Sequence, residues 1–277
     1  MDRMIPVLVQ NIVDEYMALF HERIPNRLEG FYLHGSIALN AFIEGTSDID
    51  FIAIVNQPLT DTEVKLCLNI HQELKAKYSS TEMDGTFLLH EDMGKKQSES
   101  EKYLYINECK AAWVSHTSYP ITWWILKSKG ISVFGPAIDS FHFEIDESVL
   151  VEYVLMNMNS YWGNRIKTIK RYKRIANLIP AHVVNTEIEW SITGMLRQYY
   201  TLREHDILSK MEACNYALSY LPSELHNIVN EAIRIREGQS NCPYPSKKQQ
   251  LEETVQCMTY ILDYCNNTFS KKATTRQ

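Results

Sequence analysis

Helical spacing of apolar side chains marks two segments in the first third of the chain. In residues 5–22, apolar positions recur every three or four residues with polar residues between them. That spacing predicts a helix with one buried face. Residues 60–78 show the same periodicity after a polar start, and either Thr60 or Asp61 occupies the position of an N-cap. We therefore predict two amphipathic helices in this part of the protein.

Short apolar runs between and after these helices have the character of strands. Residues 30–34 and 50–55 are rich in residues that favour β-structure, and turn-forming residues lie beside them. Residues 86–90 form a third run of this kind, and residues 103–106 form a fourth that could pair with it. The N-terminal part is therefore predicted to contain a β-sheet together with helices.

The pattern changes after about residue 110, where aromatic-rich segments with helical spacing dominate the sequence. Glycine or proline interrupts these segments near residues 130, 135 and 180. The second part of the chain is therefore predicted to be mainly helical. Its clearest predicted helices cover residues 187–201, 210–220, 223–236 and 250–265.

Together these patterns predict an α+β protein of two domains. We expect a mixed sheet flanked by helices in residues 1–138 and an α-helical bundle in residues 139–277. The tail from about residue 268 is polar and short of apolar anchors, so we expect it to be disordered.

Composition excludes several classes of function. The 277 residues carry a net charge of −6, which leaves no broad basic surface for a nucleic acid. Asp14 and Glu15 interrupt the apolar N-terminal run, and charged residues recur throughout, so neither a signal peptide nor a membrane span is predicted. The six cysteines lack paired C-x-x-C spacing, so no zinc site is predicted. We expect a cytoplasmic protein that acts as a monomer.

The segment with the clearest chemical content is a glycine-serine pair followed by two aspartates. Gly35 and Ser36 are separated by eleven residues from Asp48, and Asp50 opens the second predicted strand. Side chains alternate along a strand, so the two carboxylates should share one face and lie close together. Two like charges so close require a cation, and oxygen ligands completed by phosphates suit magnesium. We predict that Asp48 and Asp50 bind Mg²⁺.

The neighbouring small residues suit the phosphates of a nucleotide. Gly35 permits close approach of the backbone to a triphosphate, and Ser36 and Ser47 can supply hydroxyl and amide donors. In this order, the motif resembles the signature of the nucleotidyltransferase superfamily typified by DNA polymerase β. The resemblance implies a mixed sheet with the acidic pair on a central strand.

A third carboxylate is expected on the neighbouring strand. Glu82 and Asp84 both precede the third predicted strand and would point to the same side, so alternation leaves both open. The segment from Asp84 to Asp92 resembles that of spectinomycin/streptomycin adenylyltransferases, in which a catalytic glutamate leads a strand ending in His-x-Asp. The resemblance implies that Asp84 is both the catalytic base and a metal ligand, although it is one methylene shorter than that glutamate.

This second resemblance covers nearly the whole chain. It includes residues 130–136, similar to the stretch that links the two domains of the family, and residues 190–199. It implies that Arg197 and Lys210, on a helical domain that completes the nucleotide and acceptor sites, contact the nucleotide phosphates. A site for cationic drugs should contain an acid, and Glu187 falls where the family has a drug-binding aspartate.

The acceptor implied by the resemblance is a small cationic aminocyclitol or aminoglycoside. Members that also accept streptomycin carry a tryptophan and an aspartate where this chain has Leu178 and Val183. The resemblance therefore implies Mg²⁺-dependent transfer of AMP from ATP to the 9-hydroxyl of spectinomycin. Two alternatives stay open, namely a nucleotidyltransferase with another small-molecule or protein acceptor, and a non-catalytic nucleotide-binding module.

Overall fold

The computed structural model describes residues 5–95, 102–114 and 120–273. The chain divides into two compact units, Met1–Ile145 and Asp146–Gln277. The boundary lies close to a short extended stretch that precedes the N-cap residue Asp146, whose side chain accepts a hydrogen bond from Ser148 N–H. Each unit has its own secondary structure and its own buried core, and each is described separately below.

A six-stranded sheet forms the centre of the N-terminal unit. The strands are β1 Leu28–Leu33, β2 Ile49–Val55, β3 Met83–Leu89, β4 Tyr103–Asn107, β5 Lys110–Val114 and β6 Ile131–Phe134. Their order in the sheet is β5-β4-β3-β2-β1-β6. The strands β2 and β3 run parallel, whereas the other neighbouring pairs are antiparallel. The predicted mixed sheet is therefore confirmed, and β2 lies inside it.

The helices of this unit are α1 Val7–Arg23, α2 Gly35–Ala38, α3 Asp61–Lys77 and α4 Ile121–Lys129. Thr60 and Glu63 form a reciprocal capping box at the start of α3, which settles the predicted N-cap in favour of Thr60. Both predicted amphipathic helices are confirmed. Buried residues of α1 and α3 share one apolar cluster with Phe31 and Phe51 of the sheet.

The other face of the sheet determines where the acidic residues point. Ile52 and Ile54 of β2 pack in a second cluster with Trp123 of α4. Because side chains alternate along a strand, Asp50 projects from the same face as these two residues, at the start of β2. The apolar part of this face therefore continues directly into the polar region that carries Asp50.

The strands β5 and β6 correct the expectation of helical structure after residue 110. Nearly all residues of β5 are exposed, so the strand has no apolar alternation by which the sequence could reveal it. The segment that was expected to link two domains instead contains β6, which pairs with β1 at the edge of the sheet. Backbone pairing with an existing strand thus decides the structure of both short segments.

The C-terminal unit is helical, as predicted. A π-helical turn, Met158–Trp162, joins its first two helices, and a 3₁₀ segment, Lys173–Leu178, precedes the longest helix but one. The helices are α5 Glu147–Asn157, α6 Gly163–Tyr172, α7 Ala181–Glu204, α8 Lys210–Leu218, α9 His226–Arg236 and α10 Lys247–Ala273.

The last helix extends beyond the point where the sequence predicted a disordered tail. It continues to Ala273, past residue 268. Asn266 exchanges two hydrogen bonds of 2.9 Å with Asn159, and Phe269 packs edge-on against Tyr264. These contacts give residues near 268 anchors that their polar composition does not reveal. Residues 274–277 lie outside the described part of the chain.

In residues 5–95, 102–114 and 120–273, no helix combines the length and the apolar character that a membrane span requires.

Candidate active site

Gly35 packs directly against the carboxylate of Asp50. Its backbone adopts a φ of +59°, and a Cβ atom built on it would lie 1.8 Å from Asp50 Oδ2. The turn is fixed to β2 by a hydrogen bond of 3.0 Å from His34 N–H to the carbonyl oxygen of Asp50. Only glycine satisfies both the left-handed backbone and this close approach. The glycine of the motif therefore sets the position of the acid.

Replacing Gly35 with alanine should reduce activity about 100-fold, because the added methyl group must displace the Asp50 carboxylate by about 1 Å or more. Gly45→Ala is the matched control. Gly45 also has a positive φ, of +75°, but a methyl group added there would meet nothing within 4 Å. Both variants should be destabilised by about 1–2 kcal/mol, because each places a Cβ atom on a left-handed backbone. Initial rates of the catalysed reaction, measured for both variants, test the prediction, and equal rates would refute it.

The two predicted serines have different surroundings. Ser36 Oγ is buried and has no hydrogen-bond partner among the described residues. Ser47 is buried as well, but its Oγ accepts a hydrogen bond of 3.1 Å from Ile43 N–H. Ser47 therefore stabilises the loop that leads to Asp48, whereas the hydroxyl of Ser36 retains its capacity to bind a ligand.

Three carboxylates act on one another at the start of the parallel strands. Asp50 of β2 is the register partner of Asp84 of β3, and Asp48 precedes β2 by one residue. Burial raises the pKa of Asp84 to about 7, and the negative charges of Asp48 and Asp50 contribute to that increase. The predicted residues Asp48, Asp50 and Asp84 therefore lie near enough to one another that the charges of the first two act on Asp84.

The surroundings of Glu82 and Asp84 differ. The carboxylate of Glu82 forms an ion pair with Lys75 of α3. Asp84 instead accepts a hydrogen bond from the side-chain amide of Asn107, and its Oδ1 is buried without a partner among the described residues. Glu82 thus has a compensating cation, whereas the side-chain partner of Asp84 is a neutral amide; each of the two carboxylates keeps one buried oxygen without a partner among the described residues. This geometry favours Asp84 over Glu82 as the third acid.

A magnesium ion fits this group of acids. Within the described ranges, no three His, Cys, Asp or Glu side chains converge closely enough to hold a metal ion by themselves. Mg²⁺ commonly uses one or two carboxylates and takes its remaining ligands from waters and substrate phosphates. The unpartnered Oδ1 of Asp84 and the crowding of negative charge are the features that a divalent cation would relieve.

Two residues of β4 belong to this region and were not identified from the sequence. Asn107 donates to Asp84, as described above. Burial raises the pKa of Tyr105 to about 12, and the charges of Asp84 and Asp50 add to that increase. The antiparallel register, in which Thr86 pairs with Tyr105, positions both residues. The predicted pairing of the third and fourth strands is the feature of the sequence from which both residues could have been placed near Asp84.

The predicted phosphate-binding cations lie together in the C-terminal unit. Lys210 Nζ donates to Glu189 Oε1 at 3.1 Å and lies 5.2 Å from the centre of the Trp190 ring. Burial lowers the pKa of Lys210, the charge of Glu189 opposes this, and the charges of Arg236 and Arg197 lower the pKa further. Arg197 Nε donates to the carbonyl oxygen of Leu208 at 3.0 Å.

Glu187, the predicted contact for a cationic acceptor, already has a cationic partner. The residue is 8% exposed, and its two oxygens accept hydrogen bonds of 2.8 and 2.6 Å from Arg165. Ser191 Oγ donates to the same carboxylate at 2.7 Å. Burial would raise the pKa of Glu187, but the donors prevail and lower it. A substrate ammonium group at Glu187 would have to compete with the Arg165 guanidinium.

The mixed sheet, and the paired aspartates next to a glycine-serine turn, are features that the resemblance to the nucleotidyltransferases led us to expect. Residues 179–260 match the family model of the aminoglycoside adenylyltransferase C-terminal domain. This match lies entirely within the helical unit and includes Glu187, Arg197 and Lys210. None of the curated proteins matches the sequence.

Among solved structures, the chain is similar to a spectinomycin adenyltransferase, AAD(9), from Enterococcus faecialis, crystallised with ATP and spectinomycin. The TM-score is 0.66 at 15% identity, and the alignment covers 92% of this chain and 99% of that one. At this identity the likeness shows the fold. Together with the family match, it confirms the predicted resemblance to the aminoglycoside adenylyltransferases and the enzyme class.

Proposed function

We propose that the protein transfers AMP from ATP to a hydroxyl group of an aminocyclitol antibiotic, most simply the 9-hydroxyl of spectinomycin, and releases pyrophosphate. The observation that carries the proposal is the packing of Gly35 on Asp50, with Asp50 in register beside Asp84. This arrangement combines a close-approach turn for phosphates with acids that suit a divalent cation.

Each residue of the site has a defined part in the proposed reaction. Asp48, Asp50 and Asp84 would hold magnesium, which supplies charge neutralisation for the triphosphate when bound. Gly35 leaves room for phosphate oxygens, and Ser36 donates its hydroxyl to them. Asp84 accepts the proton of the acceptor hydroxyl as its oxygen forms a bond to the α-phosphorus. The bond from that phosphorus to the bridging oxygen breaks, and pyrophosphate carries away the electron pair.

The acceptor is supported by two further observations. The similar structure from Enterococcus faecialis was solved with ATP and spectinomycin. Leu178 and Val183 are exposed apolar side chains and offer neither an indole ring nor a carboxylate to a larger drug. We therefore propose spectinomycin rather than streptomycin as the substrate.

The ion pair of Glu187 with Arg165 supports a second candidate, transfer of AMP to a different hydroxylated acceptor. A cationic drug would need a free acid, whereas a neutral alcohol would not compete with the guanidinium. The retention of Asp48, Asp50 and Asp84 argues against a module that only binds nucleotides, because such a module needs no base.

The proposal is tested by incubating the full chain with ATP, Mg²⁺ and either spectinomycin or streptomycin, followed by mass spectrometry of the drug. We expect spectinomycin to gain the mass of one adenylyl group, which is AMP less one water, streptomycin to remain unchanged, and EDTA to abolish the product. A panel of neutral sugars and alcohols serves as the comparison. Transfer to a panel member alone would replace the proposed acceptor, and the absence of pyrophosphate with every acceptor would refute the proposed reaction.

A further inference from the structure

Two cations in the C-terminal unit share a single carboxylate oxygen. Glu189 Oε1 accepts a hydrogen bond of 3.1 Å from Lys210 Nζ and another of 2.7 Å from Arg236 Nη1. The three residues come from different helices, α7, α8 and the end of α9. Two positive charges thus meet one negative charge, and the shared oxygen keeps their nitrogens close enough to contact one polyanion.

Arg236 has donor capacity that the described protein does not use. Its side chain is only 8% exposed, and its Nε is buried. This Nε nevertheless has no hydrogen-bond partner among the described residues. A buried N–H of a charged group left without an acceptor is costly, and native proteins satisfy nearly all such groups. The unused Nε therefore indicates an acceptor that the protein itself does not provide.

Arg234, two residues earlier on the same helix, is an arginine with a structural role, and its hydrogen bonds can be compared with those of Arg236. Its Nε and Nη2 both donate to the carboxylate of Glu231, at 2.7 and 2.8 Å. Its Nη1 donates to the carbonyl oxygen of Gln239. All three of its nitrogens are used, whereas Arg236 binds Glu189 through Nη1 and leaves Nε unused.

We infer that Arg236 is a phosphate-binding residue that acts with Lys210 on the polyphosphate of the nucleotide, and that Glu189 positions both cations through the shared oxygen. This inference rests on the proposed function for the identity of the nucleotide. Arginine suits the role because its planar donors match phosphate oxygens, and a phosphate oxygen is the acceptor that Nε lacks. Glu189 has the opposite charge to the cations, so it also competes with the incoming phosphates.

The inference is tested by measuring binding of inorganic tripolyphosphate to the full-length protein by calorimetry, without acceptor. Arg236→Met should weaken binding about tenfold, the loss of one charge-assisted contact. Arg171→Met, at an exposed arginine on α6, is the matched control and should bind within about twofold of the unmodified protein. Binding unchanged in Arg236→Met, or weakened equally in the control, would overturn the assignment.

Two further variants separate phosphate binding from structural support. Arg236→Lys keeps a positive charge but loses Nε, so its affinity should lie between those of the unmodified protein and Arg236→Met. Glu189→Gln keeps an acceptor oxygen but removes the competing charge, so tripolyphosphate should bind more tightly and with a steeper dependence on salt. A merely structural Glu189 would give weaker or unchanged binding, and that result would overturn its role as a competing positioning residue.

The outcome is independent of the proposed reaction. Tripolyphosphate binding that depends on Arg236, without AMP transfer to any acceptor, would leave this inference standing and refute the proposed function. If the protein transfers AMP but Arg236→Met leaves its affinity for ATP unchanged, the proposed function stands and the inference about Arg236 is refuted.

Discussion

Asp84→Asn should abolish nucleotidyl transfer and at the same time stabilise the metal-free protein at pH 8. The amide cannot accept the proton of the acceptor hydroxyl, so we expect a loss of about 100-fold to 10,000-fold in kcat. The pKa of Asp84 is raised from 3.8 to about 7 in the folded protein. The folded state therefore retains a proton between these values, and the stability due to this group falls as pH rises through that interval.

Asparagine has no proton to lose there, and its amide oxygen can still accept the hydrogen bond from Asn107. We expect Asp84→Asn to be more stable by about 1–2 kcal/mol at pH 8 after allowance for solvent screening, and by little at pH 4. Chemical denaturation in EDTA at both pH values measures this difference. Glu29→Gln, an exposed site on β1, controls for the change in net charge.

Retained turnover in Asp84→Asn would contradict its assignment as the base. Glu82→Gln then becomes the decisive variant, because Glu82 is the alternative that the sequence left open. An equal gain in stability at pH 4 and pH 8 would contradict the electrostatic explanation, since that explanation requires the effect to grow as Asp84 loses its proton.

The sequence predicted the elements that carry most of the buried apolar residues of the sheet unit. The strands β1 to β4 are nearly continuous runs of buried residues, because both faces of the sheet pack on apolar clusters, and the helix α3 has buried residues at helical spacing. The edge strand β5 is exposed along its length, and β6 alternates only between partly buried and exposed positions. Both segments form strands because their backbones pair with another strand, β5 with the preceding β4 in a hairpin and β6 with the distant β1, and the spacing of apolar residues does not reveal such pairing.

The candidate site likewise combines features that the local sequence determines with features that depend on contacts between distant segments. Asp48 and Asp50 were predicted because two acids separated by one residue at the start of a strand lie close together for local reasons. The contact of Asn107 with Asp84 depends on the register of β3 with β4, and this register is set by pairing across the sheet. The packing of Gly35 against Asp50 likewise depends on how the turn folds back on β2.

In the helical unit, spacing along a helix does not reveal which other helix lies opposite. Glu187 was predicted to meet a cationic ligand, and its position in sequence gives no hint of Arg165, which lies 22 residues earlier and binds it. Arg236 lies 47 residues from Glu189 and received no role from the sequence, although the two side chains share a hydrogen bond. Contacts between helices therefore had to come from the structure.

Glu231→Ala should destabilise the C-terminal unit by roughly 3–5 kcal/mol, the largest loss of stability that we expect from a single substitution. The side chain of Glu231 is fully buried and accepts hydrogen bonds from Arg234, Gln250 and Cys242. Its removal would leave the guanidinium of Arg234, itself only 10% exposed, buried without a compensating charge. Urea denaturation followed by circular dichroism measures the loss.

The mechanism of this loss is tested by removing both charges. A buried pair replaced as a whole by apolar residues often costs little, whereas breaking it by removing one partner is expensive. Glu231→Leu combined with Arg234→Leu should therefore be more stable than Glu231→Ala alone, and Glu224→Ala, at an exposed glutamate, should change stability by less than about 0.5 kcal/mol. A double variant at least as unstable as Glu231→Ala would show that the hydrogen bonds of Gln250 and Cys242, rather than the unpaired charge, account for the cost.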